Sequence, residues 1–273
     1  MFKVVVCSAY YFIFYQQTHA KFLQLKCYNG AFERILMSVR FFELSPDLAQ
    51  HSTPNPKIVA LWAKFYHDDA ICQDAKRLIL GMNTGDYDRC KQQWQSFNGE
   101  SNDKALTDWL IALFNGLFTG QTFDKTPTVL VRGTGEPEYF ASQDGKPARI
   151  EFAHGFFASS LHEISHWCIA GRKRRELNDF GYWYVADGRD KDAQQLFEQV
   201  EIKPQAVECL LTLALGRFFY VSQDNLNADF DTTSSTFAQD VYAQAQHYLQ
   251  NPTTLPTDAR RLIWVFLDMT YQL

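Results

Sequence analysis

Apolar residues recur at helical spacing through most of the chain after residue 57. In the first such segment, Ile58, Leu61, Trp62 and Phe65 occupy positions i, i+3, i+4 and i+7, which places them on one face of an amphipathic helix over residues 58–66. Similar segments predict a series of further helices. These helices are predicted over residues 70–82, 86–97, 105–118, 157–170, 192–215, 235–249 and 257–270.

Two short segments between the helices favour β-strands instead. Residues 129–132 and 149–152 are rich in apolar residues, and glycine and proline in residues 134–137 and 144–147 predict turns between them. The strands come early in this half of the chain and the helices come late. The order therefore predicts an α+β fold, mostly helical with a small sheet, rather than a doubly wound sheet.

The pattern divides the chain into three regions. Residues 1–37 are interpreted as a doubtful N-terminal extension, because Met37 is followed by a sequence that would make a sensible alternative start. Residues 38–102 form a helical region that carries no metal or nucleophile motif, so its role is unknown. Residues 103–273 are expected to form the catalytic domain, separated from the helical region by a polar linker.

Composition narrows the class of protein. The chain has 273 residues, of which 46% are hydrophobic, so it can bury a sizeable core in one or two domains. Its net charge of −5 argues against direct binding to nucleic acid. The six cysteines are scattered without a C-x-x-C pair, as expected for reduced thiols in a cytoplasmic protein.

The apolar N-terminal segment raises the question of export or membrane insertion. Residues 4–15 are too few to span a bilayer, and no clear cleavage site follows that would make them the core of a signal peptide. A buried strand or an upstream extension explains this segment at least as well. We therefore expect a cytoplasmic location and no membrane association.

The most informative motif is H-E-x-x-H, which lies in the helix predicted over residues 157–170. His162 and His166 are four residues apart, so both imidazoles point from one face of the helix and can bind one metal ion. Glu163 lies between them and can act as a catalytic group on a metal-bound water. The flanking residues are apolar or small, and Gly171 is a plausible C-cap. Two ordinary buried histidines are the alternative.

A two-histidine site needs a third ligand, which we expect from the helix over residues 192–215. Glu201 stands between Val200 and Ile202, where an isolated carboxylate would be costly unless it were paired or bound to metal. Glu198 is the reserve candidate. Pro204 predicts either one helix or a kinked pair here, since it cannot donate to the preceding turn. The sequence thus places the metal site between the H-E-x-x-H helix and a later helix that carries a glutamate.

Several long strings in the second half of the chain carry a resemblance to a known family. They are residues 152–171, 174–177, 179–184, 187–190, 200–206 and 224–226. These strings resemble the elongation factor P hydroxylase family, with similarity running from about Leu106 to about Tyr248. The resemblance implies hydroxylation of the β-lysylated lysine of translation elongation factor P by a metal-dependent monooxygenase-type reaction. It also implies a two-histidine-one-carboxylate site that maps onto His162, His166 and Glu201.

The motif and the resemblance favour different metals. The motif alone favours a zinc peptidase in which Glu163 is the general base. The resemblance favours Fe(2+), because zinc is redox-silent and unsuited to hydroxylation. A non-catalytic binding module held together by a structural metal is a third alternative, and it would require a fourth protein ligand.

Four further residues are candidates for substrate binding or for supporting the metal ligands. They are His154, just before the metal helix, Arg174 in a basic run at the end of this helix, Tyr182 in an aromatic segment and Asp187 in a turn. The basic run could steer an acidic partner such as elongation factor P, and the aromatic segment could contact a lysyl arm. Ordinary structural roles, namely a cap, a solvated helix end, a strand face and a loop, explain the same residues about as well.

Overall fold

The computed structural model of the chain describes residues 44–45, 56–97, 102–119, 126–181, 189–222 and 235–271. The eight longer helices within these ranges are numbered α1 to α8 and the three strands β1 to β3. The helices are α1 (Pro56–Tyr66), α2 (Asp69–Ile79), α3 (Asp86–Ser96), α4 (Asp103–Phe118), α5 (Phe157–Arg174), α6 (Lys191–Ala214), α7 (Phe237–Gln250) and α8 (Thr257–Thr270). The strands are β1 (Thr128–Arg132), β2 (Glu138–Phe140) and β3 (Ala148–Phe152).

The prediction of a mostly helical α+β fold with a small sheet is confirmed. Every predicted helix is present, with ends that shift by a few residues, and both predicted strands are present as β1 and β3. The segment around Pro204 forms one helix, α6, rather than a kinked pair. Among the described residues, every helix is too short or too polar to cross a membrane.

The sheet contains one strand that the sequence did not predict. The strand order is β1-β3-β2, with β1 parallel and β2 antiparallel to β3. Strand β2 is only three residues long and follows Pro137, so it carries too little alternation to be recognised. It is held from outside the sheet, because the Tyr139 N–H donates to Asp179 Oδ1 at 3.0 Å and the Tyr139 ring stacks on Phe180.

Helix α4 covers the other edge of the sheet. Asn115 mimics a neighbouring strand there: its Oδ1 accepts from the Leu130 N–H at 2.7 Å and its Nδ2 donates to the Leu130 carbonyl at 3.2 Å. A side-chain amide thus satisfies the backbone of an edge strand that would otherwise be open. The short sheet is fixed between α4 on one side and the turn after α5 on the other.

The described helices of residues 56–96 pack into the same hydrophobic core as the later elements. Trp264 of α8 donates its indole N–H to the Tyr66 carbonyl at 2.9 Å and stacks on the Tyr66 ring. Trp109 of α4 donates in the same way to the carbonyl of Cys90 in α3 at 2.9 Å. Residues 1–37, interpreted as an extension, lie outside the described residues.

Candidate metal centre

Helix α5 presents the two histidines of the motif on one buried face. His162 and His166 are 3% and 7% exposed, and their Nε2 atoms lie 3.0 Å apart. Ser159 Oγ accepts from the backbone N–H of Ala153 at 3.0 Å and so anchors the start of α5 to the end of the sheet. At the other end Gly171, which was predicted as the C-cap, has a φ of 65° that interrupts the helical backbone. The helix continues beyond it to Arg174, and Arg175 is the C-cap.

Helix α6 packs against α5 and brings a carboxylate to the same point. Glu201 Oε1 lies 3.2 Å from His166 Nε2, and Glu201 Oε2 lies 3.8 Å from His162 Nε2. One ligand atom from each of the three residues falls within 4.8 Å of the others, a spacing that could hold a single metal ion. The structure therefore brings together the three residues that the sequence predicted as ligands.

The reserve candidate, Glu198, is engaged elsewhere. Its carboxylate accepts from Gln194 Nε2 at 3.2 Å and from Ser235 Oγ at 2.9 Å. Among the described residues it is not part of a group that could hold a metal. Glu198 thus ties α6 to the start of α7, and Glu201, three residues further along, faces the histidines.

The Glu201 carboxylate has the character of a metal ligand. Its residue is fully buried, and neither oxygen has a hydrogen bond of good geometry within the described part of the chain. Burial raises its pKa, but the charges of His166 and His162 outweigh burial and hold the net pKa below its usual range, which favours the ionised form. A buried, ionised carboxylate without hydrogen bonds is costly, and a divalent cation would satisfy it. Two imidazole nitrogens and one carboxylate are a donor set that binds zinc or iron.

Glu208 is a functional candidate that the sequence reasoning did not single out. Its Oε2 lies 2.8 Å from His162 Nδ1, and both residues are buried. A carboxylate at Nδ1 holds a proton on that nitrogen and leaves Nε2 to face Glu201 and His166. The available signal was spacing, since Glu208 follows Glu201 by two helical turns and so shares its face.

The two acidic partners also set the protonation of His162. Burial alone would lower the pKa of this imidazole, but the Glu208 carboxylate, and to a smaller extent Glu201, raise it to about 10. A cation at Nε2 would replace a proton there, as for any imidazole ligand. The carboxylates around His162 therefore favour a positive charge at this site, carried either by a proton on His162 or by a bound metal ion.

Glu163, the predicted catalytic residue, is half-buried on α5. Its Oε1 is buried and has no hydrogen bond within the described residues. Burial raises the pKa of this carboxyl group, while the neighbouring His162 and His166 act in the opposite direction. A glutamate in these surroundings holds a proton more readily than one in water, as acid–base groups in enzymes do.

Of the remaining four candidates, two lie within the described residues. His154 is exposed, with a φ of 50° and its ring 6.0 Å from that of Phe156. Arg174 is exposed at the end of α5. Tyr182 and Asp187 lie outside the described residues.

Comparison with known proteins places this site within a family. Residues 113–272 match the family described as elongation factor P hydroxylase, which is more than half of the chain. The chain is also similar to the elongation factor P lysine hydroxylase of Haemophilus influenzae, with 46% identity over 142 residues that make up 52% of this chain and 77% of that protein. The family match extends past Tyr248, where the similarity was expected to end, and it includes α8. The chain therefore belongs to the elongation factor P hydroxylase family.

Proposed function

We propose that this family member hydroxylates the β-lysylated lysine of translation elongation factor P in a metal-dependent, monooxygenase-type reaction. The observation that carries the proposal is the buried triad of His162, His166 and Glu201, which lies within the matched residues. Its carboxylate has no hydrogen bond of good geometry among the described residues. The triad provides the proposed metal ligands. The reaction is inferred from the family to which the chain belongs.

We propose Fe(2+) as the metal. When bound, iron supplies the redox chemistry that oxygen activation requires, and zinc does not. The donor set fits both metals, so the preference for iron comes from the reaction class. Three protein ligands leave coordination positions open, in contrast to a structural site, which is closed by four.

The residues around the triad have separate roles in this proposal. Glu208 holds the proton on His162 Nδ1 and so fixes the ring with Nε2 toward the ligand position. Glu201 contributes the negative charge that partly neutralises a divalent cation. Glu163, with its pKa raised by burial, holds or relays a proton at its carboxyl group, or contacts the substrate amine.

The proposed substrate is a protein, so the enzyme needs a docking surface as well as a site. Arg172, Lys173 and Arg174 are exposed at the end of the helix that carries the histidines. We propose that this run steers acidic segments of elongation factor P toward the site, and that His154, Tyr182 and Asp187 contact the substrate or support the ligands. A substrate that serves translation favours a cytoplasmic location.

The test is the mass of the substrate. Purified full-length protein loaded with Fe(2+) is incubated in air with β-lysylated elongation factor P and ascorbate as reductant, and the intact mass of the factor is recorded. Insertion of one oxygen atom into a C–H bond, with the second oxygen leaving as water, consumes two electrons and two protons from the reductant. The expected result is a gain of one oxygen with wild-type protein and none with His162→Ala.

A control variant distinguishes the effect of losing a proposed metal ligand from the effect of losing a histidine elsewhere in the protein. His247→Ala removes an exposed histidine near the end of α7 and should leave the mass gain unchanged. Peptide cleavage by the zinc-loaded protein, lost in Glu163→Gln, would replace the hydroxylase with a peptidase. Unfolding on chelation with no product of either kind would indicate a structural metal.

A further inference from the structure

A row of polar side chains lies along one face of α6, and one of them has no role in the proposed metal site. The members of the row recur at intervals of three and four residues, which places them on a single helix face: Gln194, Glu198, Glu201, Gln205 and Glu208. Glu201 and Glu208 face the histidines of α5. Gln205 lies one turn after Glu201 and is only 1% exposed, so its amide must find hydrogen-bond partners inside the protein.

The chain that follows α6 supplies both partners of the Gln205 amide. Gln205 Nε2 donates to the Ser222 carbonyl at 2.8 Å, and Gln205 Oε1 accepts from the Ser222 N–H at 3.0 Å. Residues 217–222 therefore run back along α6 from its C-terminal end toward its middle. Phe219 anchors this segment separately, because it is buried and its ring packs edge-on against Tyr242 of α7.

The turn of α6 that carries Glu201 lacks one hydrogen bond of a regular helix. Pro204 lies inside the helix and has no backbone N–H, so it cannot donate to the carbonyl of Val200, the residue before Glu201. A proline ring also crowds that carbonyl, which is why prolines inside helices usually cause a kink. Helix α6 nevertheless continues through Pro204 as one element. A contact directly after the proline is well placed to hold this turn in position.

Gln205 provides such a contact. It directly follows Pro204, and both ends of its amide are bound to the segment that runs back along α6. The amide makes no hydrogen bond of good geometry to Glu201. Burial raises the pKa of the Glu201 carboxyl group, whereas His166, His162 and then the Gln205 amide lower it, so the amide lies close to this carboxylate.

We propose that Gln205 is a positioning residue of the metal centre, which holds the Glu201 turn of α6 in place by fixing it to residues 217–222 through Ser222. The inference rests on the metal site of the proposed function, but it does not depend on the reaction that the metal supports. Loss of the amide should displace Glu201 and weaken metal binding. An amide with a purely structural role would contribute to stability without changing the affinity for metal.

The test compares the same substitution at two positions of α6. Gln205→Met removes the amide and keeps a side chain of similar length, and Gln194→Met does the same at a residue of similar burial two helical turns before Glu201. Gln194 Oε1 accepts from Arg189 Nε at 2.9 Å and its Nε2 donates to Glu198 at 3.2 Å, so both variants lose buried hydrogen bonds. Both should unfold at lower urea concentration than wild type, and only Gln205→Met should lose metal affinity.

Cobalt is the probe of metal binding. Each full-length apo-protein is titrated with Co(2+), whose visible absorption reports the geometry of its ligands. We expect the dissociation constant to rise about tenfold in Gln205→Met, with a changed absorption spectrum, and to stay within about twofold of wild type in Gln194→Met.

The outcomes separate this inference from the proposed function. A Gln205→Met protein that binds Co(2+) as tightly as wild type, with the same spectrum, would overturn the inference and leave the proposed function standing. Equal losses of affinity in the two variants would also overturn it, because the effect would then follow from any buried amide. Failure of the wild type to bind Co(2+) would overturn the metal site and this inference with it. If Gln205→Met does not fold, Gln205→Asn, whose amide is too short to reach Ser222, replaces it under the same criteria.

Discussion

Two carboxylates in this protein, one partly buried and one fully buried, have opposite surroundings. Asp268 of α8 accepts from Tyr66 Oη at 2.9 Å on one oxygen, and from Tyr87 Oη and Lys91 Nζ at 2.7 Å each on the other. Glu201 of α6 is more deeply buried and has no hydrogen bond of good geometry among the described residues. The protein itself provides the donors for Asp268, whereas Glu201, the proposed metal ligand, lacks such donors among the described residues. The first carboxylate is expected to stabilise the fold and the second to bind a ligand.

Replacement of Glu201 should have the largest effect, which we expect on metal binding and on hydroxylation. Glu201→Gln removes a charged ligand, so we expect metal affinity to fall more than about 100-fold and hydroxylation to be lost, with the far-ultraviolet circular dichroism unchanged. Metal content after dialysis and the substrate mass measure the two effects. Glu198→Gln, on the same helix but bonded to Ser235, is the matched control and should keep its metal. Full metal content in Glu201→Gln would remove this residue from the site.

Replacement of the carboxylate that supports His162 should have a smaller effect. Glu208→Gln keeps the shape of the side chain but can present its amide N–H₂ instead of an acceptor to His162 Nδ1. We expect metal affinity to fall about 10–100-fold while the three ligands remain. Competition with a chelator measures it. Unchanged affinity in Glu208→Gln, with its fold intact, would show that His162 is oriented without this contact.

Replacement of Asp268, whose oxygens accept three hydrogen bonds, should lower the stability of the fold and leave metal binding unchanged. Asp268→Asn weakens three hydrogen bonds that join α1 and α3 to α8, so we expect the free energy of unfolding to fall by about 2 kcal/mol. Urea unfolding measures it, with the exposed Asp240→Asn as control. Metal affinity should stay at the wild-type value. A parallel loss of metal would mean that the two carboxylates are coupled.

The smallest effect is a dependence of stability on pH. Burial raises the pKa of Asp268, but the hydrogen bonds from Lys91, Tyr87 and Tyr66 outweigh it, so the pKa in the folded protein lies below its usual value. The contribution of Asp268 is therefore complete above the unfolded-state pKa of about 3.9 and is lost as the pH falls through the lower folded-state value. Urea unfolding of wild type and Asp268→Asn should converge below pH 4. A constant difference down to the acid limit would contradict the shift.

The three proposed metal ligands could be singled out from the sequence because each carries a local signal. The spacing of His162 and His166 fixes their common face, and the apolar neighbours of Glu201 mark it as unusual. The helices could be predicted for a similar reason, because the spacing of apolar residues is a local feature of the sequence. Their ends were less accurate, because caps and frayed turns depend on a few residues.

The contacts that the sequence did not predict depend on how distant elements meet. Glu208 shares a helix face with Glu201, but only the packing of α6 on α5 shows that it reaches His162. The Asp268 cluster joins residues about 180 to 200 positions apart.

The packing of α1 on α8 has a consequence for the synthesis of the protein. Tyr66 contacts both Trp264 and Asp268, so the first described long helix completes its packing only when the last one is available. During translation, α8 leaves the ribosomal exit tunnel long after α1 to α3, so the nascent chain must hold these helices for a time without their partner. We expect a chain truncated before Thr257 to be cleaved in residues 56–96 by a protease that spares the full-length protein.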